Sequence, residues 1–229
     1  MRDGTSVRRL PVLFVIEASS NLSGTLEVAI RQGLETVAYA LAEDPVAARM
    51  VYLSTVVFNQ AIVVNQRLTN ITRYAVPSWE ASGDASLGCA LDQLAETLRI
   101  GFISGNETRP GDLPPMIFLA LGSEFTDDWE PHIKRLRALP AMQHAHVFAI
   151  VSRQKVATLA RGITANIISL ETAPSAGGGP TLTPAILADR VTRFFDWVSQ
   201  AVLLIAESQH QQAGALTLPL LPPELIAVP

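Results

Sequence analysis

The sequence predicts a single α/β domain with a doubly wound, mostly parallel β-sheet, helices on both faces and one antiparallel edge strand. Short apolar runs rich in β-branched residues alternate along the chain with segments whose apolar residues recur at helical spacing. This alternation is typical of a parallel sheet covered by helices. The length of 229 residues also falls within the range of about 100 to 250 residues that is usual for one domain.

Six strands are predicted, because each run is short, apolar and rich in β-branched or aromatic residues. In chain order they are residues 11–18, 49–58, 61–64, 116–121, 145–151 and 166–170. The run 116–121 (MIFLAL) is expected to be the central strand. The second and third runs are separated only by Asn59 and Gln60, which predicts a short hairpin at an edge of the sheet.

Helices are predicted where apolar residues recur every three or four positions. In chain order they are residues 25–42, 86–98, a helix that starts within 126–130, 154–160 and 184–207. At the start of the third helix, Thr126 offers an oxygen for the N-cap. The acidic residues after it suit the positive end of a helix dipole; they are Asp127, Asp128 and Glu130.

Two segments differ in composition from the rest of the chain. The glycine-rich residues 173–180 predict a flexible connector. Residues 216–229 contain four prolines and show no helical period, so they are expected to be either disordered or an extended strap over the body. We therefore assign the domain to residues 1–215 and a proline-rich tail to residues 216–229.

Charge, hydropathy and cysteine content exclude several classes of protein. The 17 Lys and Arg against 21 Asp and Glu give a net charge of −4, the wrong sign for a sequence-independent nucleic-acid binder. Crossing a bilayer needs about 20 consecutive apolar residues, and the sequence has no such run. No apolar leader follows Met1, and the single Cys89 excludes an intramolecular disulfide. We therefore expect a soluble cytoplasmic protein.

Ligands of an open α/β sheet bind outside the carboxyl ends of its strands, and three polar loops lie there. They are residues 17–24, 83–88 and 122–128. In order and layout these loops resemble the von Willebrand factor A domain. The metal-ion-dependent adhesion site of that family uses Asp-x-Ser-x-Ser after the first strand, a Thr in the second loop and an Asp after the central strand.

The ligand positions of that family are largely lost in this sequence. Glu17, Ser19 and Asn21 stand at the Asp, first Ser and second Ser. Ala85 replaces the Thr, with Ser86 as the nearest hydroxyl, and Gly122 replaces the final Asp. Mg²⁺ prefers near-octahedral oxygen ligation, so the resemblance implies a metal site that is degenerate.

One alternative restores the ion from the oxygen ligands that remain. In it, Mg²⁺ or Ca²⁺ and a carboxylate of a partner bind to a rebuilt shell drawn from Glu17, Ser19, Asn21, Asp84, Ser86 and Glu124. Without the ion, the same loops are expected to form a partner-binding surface, which then also includes Ser123. A second alternative is a small-molecule-binding or enzymatic α/β protein that uses the crevice at the strand ends.

A narrower resemblance is carried by FFDWVSQAV (194–202) and LPLLPPELIAV (218–228) together with the first strand. Their order and spacing are similar to the TerY-like branch of tellurium-resistance proteins. The resemblance implies a cytoplasmic bacterial interaction protein of a stress-response system. It also implies a protein kinase and a serine/threonine phosphatase as partners.

Other candidate constellations point to no reaction. His144 and His146 lack a third metal ligand, and Cys89 lies on an apolar helix with no base beside it. Gly-Gly-Gly (177–179) is not followed by the Lys and Ser or Thr of a phosphate-binding loop. We therefore predict a non-enzymatic protein-interaction module or scaffold without a cofactor. A homo-oligomer formed through the apolar tail and the last helix is a further possibility.

Overall fold

Seven β-strands and six α-helices of the described residues form one sheet and its two helical layers. The computed structural model describes residues 7–108, 110–125, 127–171, 183–211, 218–222 and 225–227. The strands are β1 (Leu10–Glu17), β2 (Val51–Phe58), β3 (Ile62–Asn70), β4 (Met116–Leu121), β5 (His146–Val151), β6 (Asn166–Ser169) and β7 (Ile226–Ala227). The helices are α1 (Thr25–Glu43), α2 (Ala47–Met50), α3 (Leu87–Gly101), α4 (Glu130–Arg137), α5 (Gln154–Ala160) and α6 (Pro184–His210).

The sheet has the predicted doubly wound, mostly parallel architecture. Its strand order is β3-β2-β1-β4-β5-β6-β7, and the five central strands β2, β1, β4, β5 and β6 run parallel to one another. Strand β3 is the predicted antiparallel edge strand. Because the chain reverses its strand order beside β1, the carboxyl ends of β1 and β4 open a crevice at this switch point.

Helices cover both faces of the sheet and bury two apolar layers. On the face covered by α1 and α6, aromatic rings stack from strand to strand. The centroids of Phe14 and Phe118 lie 5.4 Å apart, and those of Phe118 and Phe148 lie 5.5 Å apart. Helix α6 adds Phe194 and Phe195 to this layer. The opposite face packs against α3, α4 and α5.

A glycine allows helices α1 and α6 to pack closely. A Cβ placed at Gly33 of α1 would lie 2.2 Å from Cδ2 of Phe195. No larger side chain fits there without moving the buried Phe195 ring. The Phe195 ring also lies 5.9 Å from that of Phe14 in β1, measured between centroids, so the last helix docks on the sheet as its apolar stripe predicts.

Several element boundaries differ from the sequence prediction. Strand β3 runs over nine residues rather than the four of 61–64, because its ladder with β2 continues past two irregularities in register. A short helix, α2, precedes β2 where the β-rich run is predicted to start. Helix α4 begins at Glu130 with Trp129 as its N-cap, and Thr126 lies outside the described residues, as does the predicted connector 173–180.

The described part of the tail packs on the body of the domain as a strap. Leu225 is buried in the aromatic layer, and the indole N–H of Trp197 donates a hydrogen bond of 3.0 Å to the carbonyl of Pro219. Strand β7 pairs antiparallel with β6 and thereby covers that edge of the sheet. The sequence pattern does not indicate this second antiparallel strand.

None of the helices in the described ranges combines the length and the hydropathy needed to cross a membrane.

Candidate functional site

An open cleft lies at the carboxyl ends of the parallel strands, where the sequence places the three candidate loops. Its volume is about 410 Å³. The lining comes from the loops after β1, β4 and β5, from the loop before α3 and from the first turn of α5. The lining residues are Asn21, Asp84, Ala85, Gly122, Ser123, Glu124, Arg153 and Val156.

The floor of the cleft is organised by the carboxylate of Glu17, which is only 1% exposed. Its Oε2 accepts hydrogen bonds from the backbone N–H groups of Gly122 at 2.7 Å and of Ser123 at 3.0 Å. Its Oε1 accepts from the hydroxyls of Ser19 and Ser123. A buried charge is tolerated when it is paired or fully hydrogen-bonded. Four donors of its own chain provide that here.

The two hydroxyls and Asn21 complete this network. The oxygens of Ser19 and Ser123 lie 3.1 Å apart. The side-chain N–H of Asn21 donates to the Ser123 hydroxyl at 2.9 Å, and its backbone N–H donates to the Ser19 hydroxyl at 3.2 Å. Of the predicted site residues, the structure thus joins Glu17, Ser19, Asn21 and Ser123 in one closed cluster.

Gly122 is held from both sides and has no room for a side chain. Its N–H donates to Glu17, and its carbonyl accepts from the hydroxyl of the buried Ser152 at 3.2 Å. A Cβ built on Gly122 would lie 2.5 Å from Cγ of Leu22, which is itself buried. The resembled family has an Asp at this position. Here the space that its side chain would need is filled by the side chain of Leu22.

The loop before α3 is fastened to the loop after β1. The backbone N–H of Ser82 donates to the carbonyl of Ala18 at 2.8 Å, and that of Ser20 donates to the carbonyl of Gly83 at 2.9 Å. Gly83 has a φ of 67°, a conformation that glycine adopts without the steric cost of a side chain. These contacts hold the next residue, Asp84, at the rim of the cleft, where it is exposed.

Ser86 does not join the cluster, because it points to a different carboxylate. Its hydroxyl donates to Asp127 Oδ2 at 3.0 Å, and the backbone N–H groups of Leu87 and Gly88 donate to Asp127 at 3.2 and 2.7 Å. Asp127 therefore caps the N-terminus of α3. The sequence prediction that it serves the first turn of its own helix is wrong, since α4 begins only at Glu130.

The rim of the cleft carries charges of both signs. Glu124 is exposed, and its carboxylate lies 3.7 Å from the ammonium group of Lys155. Arg153 is also exposed and lines the cleft. Arg153 is not among the site residues predicted from the sequence, although residues that follow a parallel strand lie at the same sheet edge as the three predicted loops. Applying that rule to β5 would have found it.

The side chains of this arrangement do not present a set of free oxygen ligands to a divalent cation. Mg²⁺ needs free oxygen ligands in a near-octahedral shell, but both oxygens of Glu17 already accept two hydrogen bonds each. Ser86 is turned away, and Leu22 fills the space beside Gly122. Within the residues that the structure describes, no three side chains from His, Cys, Asp and Glu are grouped to hold a metal ion.

The remaining sequence candidates lie apart from the cleft floor. The thiol of Cys89 donates to the carbonyl of Ser86 at 3.1 Å, and burial raises the pKa of this thiol, which disfavours the reactive thiolate. His144 and His146 are exposed at the start of β5. Neither histidine lines the cleft.

No family model and no curated protein matches the chain. Solved structures do match over most of its length. A von Willebrand factor type A protein from Catenulispora acidiphila superposes with a TM-score of 0.52 at 12% identity, covering 84% of this chain and 43% of that one.

Two further solved structures show the same likeness. The pilus adhesin SpaC from Lactobacillus rhamnosus GG, in its open conformation, gives a TM-score of 0.58 at 10% identity and covers 85% of this chain and 30% of that one. Proximal thread matrix protein 1 from the mussel byssus gives 0.50 at 13% identity, with 83% and 48% covered. The chain thus has a von Willebrand factor A fold and spans less than half the length of each of these three structures.

Proposed function

We propose that this chain is a non-enzymatic protein-interaction module, and that its partner binds at the cleft above Glu17 without a divalent metal ion. One observation carries the proposal. The carboxylate of Glu17 is buried and saturated by four hydrogen bonds from its own chain. Contacts with a partner therefore fall to the exposed rim of the cleft.

The loops are favoured over the tail as the contact surface. Leu218, Leu221 and Leu225 of the tail pack against the core of their own domain. By contrast, Asn21, Asp84 and Glu124 of the loops are exposed at the cleft.

The cellular setting is proposed from the resemblance alone. The segments 194–202 and 218–228 are similar to the TerY-like branch of tellurium-resistance proteins. We propose on this basis a cytoplasmic bacterial stress-response scaffold, with a protein kinase or a serine/threonine phosphatase as its partner. Self-association through the tail stays a prediction that light scattering after size-exclusion chromatography can test.

Site-specific photo-crosslinking in cells of the source organism tests the proposed function. A photoreactive amino acid replaces Asp84 or Glu124 at the cleft, and Asp196 on the exposed side of α6 as the matched control. We expect the two cleft positions to capture the same protein and the control position not to capture it. Capture only from the control position, or no capture from the cleft, would contradict the proposal.

The metal-dependent alternative has its own test. Calorimetric titration of the chain with MgCl₂ and with CaCl₂ is expected to give no heat of binding beyond dilution. The crosslinking pattern is likewise expected to be unchanged after chelation in permeabilised cells. A saturable heat of metal binding that is absent from the Glu17→Ala variant would favour the metal-dependent alternative instead.

A further inference from the structure

We propose that the cleft binds a segment of a partner protein that carries one acidic and one basic side chain, which pair directly with Arg153 and Asp84. This inference rests on the proposed function, because it assigns a recognition chemistry to the same cleft. It follows from which polar groups of the cleft are already engaged and which remain available.

The floor of the cleft offers a ligand few hydrogen-bonding groups. The backbone N–H groups of Gly122 and Ser123 both donate to Glu17, and the carbonyl of Gly122 accepts from Ser152. The hydroxyl of Ser123 donates to Glu17 and accepts from the side chain of Asn21. Recognition at this cleft therefore depends on rim side chains rather than on the floor.

Asp84 and Arg153 are the rim groups whose charges are available. Both side chains are exposed, and neither forms an ion pair with another residue of the described chain. Glu124 differs, because Lys155 already lies 3.7 Å from its carboxylate. The cleft thus offers one available anion and one available cation.

The negative charge of Asp84 and the positive charge of Arg153 together select the class of ligand. A purely acidic segment would pair with Arg153 but would be repelled by Asp84 and Glu124. A purely basic segment would pair with Asp84 but would meet Arg153 and Lys155. Opposed charges of this kind add specificity by penalising the wrong partner, so a segment with both signs is preferred.

The chemistry of each group suits a direct ion pair. The planar guanidinium of an arginine such as Arg153 can hold a carboxylate through two parallel hydrogen bonds. Asp84 follows the fastened residues Ser82 and Gly83, so its backbone position is fixed by contacts already in place. Pairs at an exposed rim are weak individually, and removing one is expected to lower affinity by about two- to fivefold.

Titration of the ¹⁵N-labelled full chain with capped peptides in EDTA tests this proposal. One series of probes carries a Lys and an Asp separated by one or more glycines, and two matched series carry two Lys or two Asp. We expect the mixed series to shift the amide resonances of Gly122 and Ser123 saturably and to bind most tightly.

Charge-removing variants identify the rim groups. Arg153→Gln and Asp84→Asn are each expected to weaken binding of the mixed peptide by about two- to fivefold. The controls Arg73→Gln, at the opposite end of the sheet, and Asp196→Asn, on α6, keep the wild-type affinity.

Three results would overturn the inference: no shift with any mixed peptide, tighter binding of the series with two Lys or two Asp, or binding that requires added Mg²⁺. Absence of peptide binding together with specific crosslinks at Asp84 and Glu124 overturns only this inference. Loss of those crosslinks overturns the proposed function itself.

Discussion

Ser123 donates two hydrogen bonds to Glu17, one from its backbone N–H to Oε2 and one from its hydroxyl to Oε1. The two residues are 106 positions apart in the chain and lie at the ends of neighbouring parallel strands. The longer side chain of Glu reaches across the switch point and joins the loop after β1 to the loop after β4. An internal carboxylate thereby connects the loops that a metal ion would connect in the resembled family.

We expect Glu17→Gln to lower the free energy of unfolding by about 2–4 kcal/mol, because the new amide N–H₂ would face donors that lose their acceptor. Urea unfolding followed by circular dichroism measures the change. Glu124→Gln, on the exposed rim of the same cleft, is the matched control and should stay within about 0.5 kcal/mol of wild type. Equal stabilities for the two variants would contradict a structural role of Glu17.

Gly122→Ala is expected to destabilise the chain by about 1–3 kcal/mol, because the added Cβ collides with Leu22. The contact predicts a coupling between the two positions. Leu22→Ala should cost less in the Gly122→Ala background than in wild type, by at least about 0.5 kcal/mol. A double-mutant cycle from urea unfolding measures this coupling, and strict additivity would argue against the contact.

The two tail leucines Leu225 and Leu220 allow a matched test of the strap. Leu225 is 4% exposed and Leu220 is 95% exposed. Leu225→Ala is therefore expected to cost about 2–4 kcal/mol of unfolding free energy, and Leu220→Ala less than about 0.5 kcal/mol. If thermal and urea unfolding show equal small effects for both, the tail does not contribute to the folded core.

Tyr74 predicts a loss of stability at alkaline pH. Burial raises its pKa from 10.0 to about 12, while the hydrogen bond with Thr55 has a smaller, lowering effect. Because the folded state holds the proton more tightly than the unfolded state, this stabilisation is complete below pH 10 and is lost as the pH rises toward 12. The loss amounts to about 3 kcal/mol at most, since each pKa unit corresponds to about 1.4 kcal/mol.

Urea unfolding at a series of alkaline pH values checks this prediction. In Tyr74→Phe, the part of the decline between pH 10 and 12 that comes from this phenol should be absent. The variant should also be less stable at neutral pH, because the fully buried hydroxyl of Thr55 loses its partner. Tyr39→Phe, which changes an exposed ring, is the control and should keep the wild-type pH profile.

The local pattern of apolar residues is sufficient to predict the order and type of most secondary-structure elements. The strand 116–121 and the helix 154–160 coincide with β4 and α5, because short apolar runs and helical periodicity are properties of neighbouring residues. For β3, by contrast, the sequence pattern predicts too short a strand. Its exposed residues alternate with partly buried ones only through pairing with β2, and its two register irregularities are not marked by glycine or proline.

The amino-acid sequence by itself determined the α/β alternation and the loss of ligand side chains at Ala85 and Gly122. Only the tertiary structure decided which polar groups meet. It directs Glu17 to Gly122, which is 105 residues away, and Ser86 to Asp127, which is 41 residues away. It also brings Arg153 to the cleft and places the tail on β6. The physical reason is that periodicity reports burial, whereas hydrogen-bond partners are chosen by how distant segments pack.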